Sequence, residues 1–309
     1  MSIELNTFLD DYITDDKFNA THCTSIDTNN GQIYYNIPNN KVLEFYSIYN
    51  NAYIQNVDLY MGEIHKDYGP ILIDIDFKYK SDEDNLHSDI IINKLRKYDV
   101  LFSGNDTITM MIVKIYMKII KKYLHVEKKN IQCFVLEKKE PYWNDEKNIF
   151  SDGLHLIFPF ICIPVYFQKF IRVKFIKYAK EINLFNNLNL VYMANTIVDQ
   201  VIDRHTISDI NWRLYGSKKF GSNYPYLLSK IYNNNLELLS INEYESFDLI
   251  YLLSIRKFSQ NSITELNNKF IENFSISNNK IPNHNKIYTL VVIFCIIIFF
   301  IYINDNSKN

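Results

Sequence analysis

Asp74 and Asp76 stand two residues apart in Gly69-Pro70-Ile71-Leu72-Ile73-Asp74-Ile75-Asp76-Phe77-Lys78-Tyr79. Ile71, Ile73, Ile75 and Phe77 alternate with Leu72, Asp74, Asp76 and Lys78, the period of a β-strand, and Gly69-Pro70 marks a turn into it. Residues i and i+2 of a strand face the same way, with Cα atoms about 6.5–7 Å apart. Two carboxylates so placed repel unless a cation lies between them, and hard oxygen donors suit Mg²⁺ or Mn²⁺. A half-exposed strand whose polar face happens to carry two acids would read the same way. Three other groups carry chemistry. His155 is the titrating side chain inside the apolar stretch Leu154–Pro159, two residues after Gly153, where a missing side chain lets a ligand approach the backbone; such a histidine is more often a hydrogen-bonded core residue. Asp203 precedes Arg213 and the turn Tyr215-Gly216-Ser217-Lys218-Lys219. A hydroxyl, free N–H groups and ammonium groups in one turn suit a polyphosphate, although a hairpin with a solvated Lys-Lys tip has the same composition.

The elements that must position these groups follow from pattern. Residues 1–20 read as a short helix and acidic loop, Gln32–Ile37 as a strand, and Val42–Tyr49 as a helix with Phe45 and Tyr49 inward. A helix is expected over Ser88–Tyr98, and a longer one from an Asp106 N-cap to about Leu124. Lys114, Lys118, Lys121 and Lys122 share one side of that helix; they fit a stripe that follows template phosphates or a solvated face. Ile131–Leu136 reads as a buried strand, Lys138–Asn148 as a polar loop, and Ser151-Asp152-Gly153 as a turn feeding the His155 strand. A basic helix over 165–182, a helix over Asn189–Asp203, a strand over Tyr224–Tyr232 and two polar-faced helices in 242–274 complete the body. Ser275–Lys286 reads as a linker. Ile287–Ile303 is apolar and at the lower limit of the ~17–25 residues of a membrane-spanning helix, and Lys280 and Lys286 flank it as the positive-inside rule requires of a cytoplasmic body.

The 309 residues are enough for one large domain or two small ones. Lys+Arg 33 against Asp+Glu 35 gives a formal charge of -2, so contact with nucleic acid must come from a local patch. The four cysteines are scattered without zinc spacing, which points to a reducing compartment and no structural zinc. The N-terminus shows no secretory signal, and no G-x-x-x-x-G-K-[ST] phosphate loop occurs.

Taken in order, a D-x-D strand, a G-x-H strand and a later carboxylate before a basic turn resemble the signature of the archaeo-eukaryotic primase superfamily. The likeness is nearest to the primase domain of primase–helicases of large nucleocytoplasmic DNA viruses, poxvirus and mimivirus type. It is carried by Glu63, Gly69-Pro70-Ile71, Asp74, Asp76, Phe77, Ser151, Gly153, His155, Ile202-Asp203, Asn211-Trp212, Tyr215-Gly216-Ser217, Lys219 and Leu253-Ser254-Ile255-Arg256. Asp199 competes for the third acid, but its distance to Trp212 fits less well. The resemblance implies an α+β primase–polymerase palm, an RRM-like antiparallel or mixed sheet with flanking helices, over 1–257. A helix and linker would follow over 258–286, then a possible transmembrane helix over 287–303 and a short polar tail over 304–309.

It further implies two divalent ions, Mg²⁺ or Mn²⁺, on Asp74, Asp76 and Asp203, with His155 as a fourth catalytic group. Gly153, His155, Arg213, Ser217 and Lys219 would bind a nucleoside triphosphate, and Lys114, Lys118, Lys121 and Lys122 the single-stranded DNA template. The activity implied is primer synthesis during viral DNA replication in the host cytoplasm; the viral relatives continue into a helicase, so a free-standing primase served by a helicase on a separate chain, one half of a split gene and a degenerate remnant are the alternatives for this chain. A gap-filling or translesion polymerase and a catalytically silent, membrane-tethered scaffold are the competing readings.

Overall fold

The structure, a computed structural model, describes residues 2–24, 31–80, 101–144, 149–188, 190–193 and 196–267. The expected Ser88–Tyr98 helix, the linker after Ser275 and the apolar stretch Ile287–Ile303 lie outside the described residues. The chain divides into two compact units, Met1–Glu265 and Leu266–Asn309, and every element below belongs to the first. Among the described residues no helix is long and apolar enough to cross a membrane.

The alternating pattern around Asp74 forms a 13-residue strand, Tyr68–Lys80, here called the aspartate strand. Beside it runs the 16-residue histidine strand, Ile149–Pro164, antiparallel to it. Two expected turns are absorbed into these strands. Ser151-Asp152-Gly153 pairs with Lys78, Phe77 and Asp76, because a full set of cross-strand partners outweighs local turn preference. Gly69 and Pro70 pair with Ile163 and Cys162, and the register then slips between Phe158 and Cys162, where Pro159 stands. Proline lacks an N–H for the ladder, so irregularities of this kind are where strands admit it.

The sheet continues outward from the histidine strand to Cys133–Glu137 and Leu227–Tyr232, with Tyr142–Asn144 paired onto the start of the histidine strand. A second sheet has the order Ile13–Thr14, Tyr34–Tyr35, His22–Thr24, Met61–Glu63, Trp212–Arg213. All of these strand pairs are antiparallel. The result is the expected α+β architecture of antiparallel sheets with flanking helices.

Helices cover one face of the larger sheet. Ile108–Tyr123 and Val165–Glu181 pack together through Tyr116 stacked on Phe175, ring centroids 4.5 Å apart, and with Ile71 and Ile73 they line one small cavity. On the opposite face Leu72, Phe134, Leu136 and Ile157 join Phe45, Tyr46, Tyr49 and Trp212 in a second core, against the Val42–Ile54 helix and the smaller sheet. A fully buried Ile, Leu or Phe contributes about 1.5–3 kcal/mol. This second face is sealed at the Leu72 end and becomes polar toward Asp74, Asp76 and Lys78.

Three helical expectations are corrected. The N-cap of Ile108–Tyr123 is Thr107, whose side chain accepts from Met110 N at 3.2 Å; Asp106 pairs in a short hairpin with Ser103 and forms an ion pair with Lys114 at 2.7 Å. Among the described residues of 189–203, only Ile197–Val201 is helical. The flanking residues lie along the edge of the aspartate strand, where open backbone groups take them: Leu190 bridges Tyr79, Ile202 bridges Ile75, and Asp203 N donates to Asp74 O at 3.0 Å. Among the described residues from 242 on, there is one short α-helix, Ser246–Leu252, with Ile255 N after it held to Glu63, and a 3-10 turn at Gln260–Ser262.

Glu63 is fully buried and accepts from Tyr46 Oη at 2.8 Å, Ser254 Oγ at 2.6 Å and Ile255 N at 2.8 Å. Burial pushes its carboxyl upward, but His22 beside it and the donors from Ser254 and Ile255 outweigh that and hold it below the usual range. Arg256 locks the same segment by donating to Ile64 O at 2.6 Å. This node joins the N-terminal sheet to a segment about 190 residues later in the chain.

Candidate active site

The register of the two central strands brings the motifs together. Gly153 stands opposite Asp76 and His155 opposite Asp74, so the G-x-H and D-x-D residues occupy adjacent rows of one sheet face. On the outer edge of the aspartate strand, Asp203 is fixed to Asp74 O by its own N–H. Thr206 Oγ1 lies 3.2 Å from Asp74 Oδ2 and 3.2 Å from Asp203 Oδ2, so one hydroxyl bridges the two acids. Asp199, the competing third acid, is turned away and pairs with Lys180 at 2.6 Å. Arg172, from the helix on the far side, donates to Ile202 O at 2.6 Å and Asp199 O at 3.0 Å, pinning the turn just before Asp203.

Asp74 carries the strongest electrostatic load. Burial, then the charges of Asp76 and Asp203, push its carboxyl up from 3.8 to about 7 against the opposing pull of Arg213. Asp76 is raised as well, mainly by burial, with Asp203 adding to it and Lys78 opposing. Asp74 Oδ1 is buried without a hydrogen-bond partner; His155 Nε2 is 3.5 Å away. Burial, reinforced by Arg213 and Lys138, holds His155 well below its ordinary range, so the imidazole is neutral. Of the two forms open to this residue, the structure favours the N–H donor over the imidazolium.

His155 packs against two aromatic rings, stacked on Tyr226 at 3.7 Å and 19° and tilted against Trp212 at 4.6 Å and 36°. Gly153 makes room for this stack. A Cβ there would lie 2.5 Å from Ile75 O and 2.8 Å from Tyr226 Oη. Gly153→Ala should therefore cost about 1–3 kcal/mol of stability, as an overpacked core site does. A denaturant titration checks this; an unchanged midpoint would mean the strands have slack that the structure does not show.

The basic turn divides its residues. Arg213 follows Trp212 on the strand paired with Met61–Glu63 and lines a small cleft with His155, Trp212, Tyr215 and Tyr226. Gly216 adopts φ +83° against the Tyr53 ring, where a Cβ would come within 2.6 Å. Ser217 is 2 % exposed, and its hydroxyl bonds Tyr49 Oη at 2.7 Å and accepts from Met61 N at 2.8 Å, holding the turn from beneath. Lys218 pairs with Asp58 at 2.7 Å, while Lys219 is exposed.

The lysine stripe is not brought to the acids. Lys114, Lys118, Lys121 and Lys122 are exposed on the helix that covers the isoleucine face, behind the sheet from Asp74 and Asp76. Lys118 and Lys122 lie over the Tyr178 and Tyr123 rings, and Lys121 donates to Asn234 O at 2.6 Å. Sequence reasoning missed Thr206, Tyr226 and Lys138. Lys138 was assigned to a polar loop, yet it follows Leu136 by two residues and Leu136 stands opposite His155, so strand parity places it on the acid face.

Three oxygen acids around an unpartnered carboxylate oxygen suit a hard divalent cation. Among the described residues, however, no three His, Cys, Asp or Glu side chains are already gathered as a metal cluster. The donor set fits such a cation in chemistry and in charge.

An antiparallel palm bearing an aspartate pair, a facing histidine and a third acid from a later crossing segment is the arrangement of a primase domain of the archaeo-eukaryotic kind. Residues 21–232 match the family model described as the C962R protein N-terminal AEP domain, AEP denoting archaeo-eukaryotic primase, and the chain belongs to that family. It is 34% identical over 196 residues to the protein named "Putative helicase L207/L206" of Acanthamoeba polyphaga mimivirus, covering 63% of this chain and 18% of that one. It is 30% identical over 220 residues to "Putative helicase 184R" of Invertebrate iridescent virus 6, covering 66% and 21%. The chain thus spans about a fifth of the length of these viral relatives.

Proposed function

We propose that this chain is a metal-dependent nucleotidyltransferase that synthesises primers on single-stranded DNA during viral replication. The observation that carries the reading is the placement of Asp74 and Asp76 on one sheet face with Asp203 fixed at the edge of their strand, Asp74 Oδ1 being unpartnered and Thr206 bridging Asp74 and Asp203. Divalent cations held by Asp74, Asp76 and Asp203 would supply charge neutralisation for an in-line displacement at the α-phosphate of a nucleoside triphosphate. The residues themselves position. Neutral His155, fixed by Tyr226 and Trp212, offers an N–H to a phosphate oxygen without adding charge. Arg213 faces the same space as a planar donor suited to phosphate, with exposed Lys219 further along the turn. Ser217 acts through the turn it supports.

The test is synthesis by the full chain on a single-stranded DNA template with Mg²⁺ or Mn²⁺ and labelled nucleotides. De novo products are expected. Extension of supplied primers without de novo synthesis would assign the chain to gap filling instead, and template binding with neither reaction would leave only a scaffold. The relatives are named as helicases, and a helicase acting with this chain, fused or separate, is part of the proposal.

A further inference from the structure

Lys138 stands one residue beyond the Cys133–Glu137 strand, within electrostatic reach of Asp76, Asp152 and Asp74, and of Arg213. Its ammonium lies 5.0 Å from the centre of the Tyr226 ring, whose other neighbour is His155 at 3.7 Å. Lys138, Tyr226, His155 and Trp212 are therefore successive neighbours in one chain of contacts. Lys138 is half-buried, and burial followed by Arg213 lowers its proton affinity. The charge of Arg213 opposes that of Lys138, and the charges of Asp76, Asp152 and Asp74 favour it. Once a divalent cation occupies Asp74 and Asp76, their share of that negative charge is removed, and the positive charge of Lys138 and Arg213 favours an anion at the site.

We propose that Lys138 is a phosphate-binding residue of the nucleotide site, held by the aspartates in the free protein and transferred to the triphosphate when divalent cations neutralise them. The proposal rests on the nucleotidyl-transfer reading and adds to it a residue and an order of binding. Metal and triphosphate should bind with positive cooperativity, because each removes the other's electrostatic penalty. Tyr226 keeps the ammonium on the site face through its ring.

The experiment measures binding of inorganic tripolyphosphate and of a deoxynucleoside triphosphate to the full chain by calorimetry, with and without Mg²⁺. Wild type, Lys138→Met and Lys138→Arg are compared, and circular dichroism checks that each variant is folded. Wild type should bind both ligands more tightly with Mg²⁺ than the ligands' own Mg²⁺ affinity explains. Lys138→Met should weaken both in Mg²⁺ by roughly ten- to a hundredfold, the usual effect of losing one charged hydrogen bond. Lys138→Arg should recover most of that loss, which a purely structural lysine would not require. If folded Lys138→Met binds as wild type does, the assignment of Lys138 is wrong and the nucleotidyl-transfer reading stands. If wild type itself binds neither ligand in Mg²⁺, that reading fails and this inference with it.

Discussion

Replacing Asp74 with Asn should reduce nucleotide incorporation by at least about a thousandfold, equivalent to ~4 kcal/mol of transition-state stabilisation. The same substitution should make the metal-free protein more stable at pH 8, by about 1–3 kcal/mol. The two effects share one cause. In the folded protein Asp74 is raised from 3.8 to about 7 by burial, Asp76 and Asp203. Below pH about 4 the group is protonated in both folded and unfolded states, and its contribution to stability is fully present. Between about 4 and 7 the folded protein keeps a proton that the unfolded chain has lost. As pH rises through about 7 the buried carboxyl must ionise beside two other acids, and that stabilisation disappears.

Urea titrations at pH 5 and pH 8, without metal, check the sign. Wild type should lose stability across this interval, and Asp74→Asn should lose less. Adding Mg²⁺ should restore wild type most at pH 8 and leave Asp74→Asn nearly unchanged. A variant that is inactive yet no more stable at pH 8 would mean that the acid cluster is not strained in the folded state.

The second large effect is structural. Glu63→Ala should destabilise the protein by about 3–5 kcal/mol, since it removes a buried carboxylate and leaves Tyr46 Oη, Ser254 Oγ and Ile255 N without their acceptor. Glu63→Gln keeps an acceptor of the same shape and should cost about half as much. Chemical denaturation measures both, and a loss below about 1 kcal/mol for Glu63→Ala would show that water takes over the carboxylate's place. Met61–Glu63 is also the strand that aligns Trp212 and Arg213. Glu63→Ala should therefore disturb nucleotide binding even where enough protein stays folded to assay.

The relation between sequence and structure differs from element to element. The aspartate strand was legible because its period of two is a local property, set by alternation of side chains about an extended backbone. The helices over Val42–Ile54 and Val165–Glu181 were legible for the same kind of reason, apart from their ends. The turn expected at Ser151-Asp152-Gly153 and the helix expected across 189–203 failed because each segment lies against the aspartate strand, whose hydrogen bonds outweigh local preference. Within the site, the acids Asp74, Asp76 and Asp203 and the residues Gly153 and His155 could be picked out by type and order. The choice of Asp203 over Asp199 acquired a physical basis only when Asp203 N was seen on Asp74 O and Asp199 on Lys180.

By itself, then, the sequence determined the α+β class, the D-x-D and G-x-H strands and the kinship with viral primase domains, all of which reside in local pattern and in the order of motifs. Tertiary structure alone decided the rest. It set Gly153 and His155 opposite Asp76 and Asp74, made one threonine the bridge between two acids, and moved the Lys114–Lys122 stripe behind the sheet. It also brought Lys138 to Tyr226 from far along the chain. Register and packing join residues through the sheet, and no local window of sequence contains both partners of such a contact.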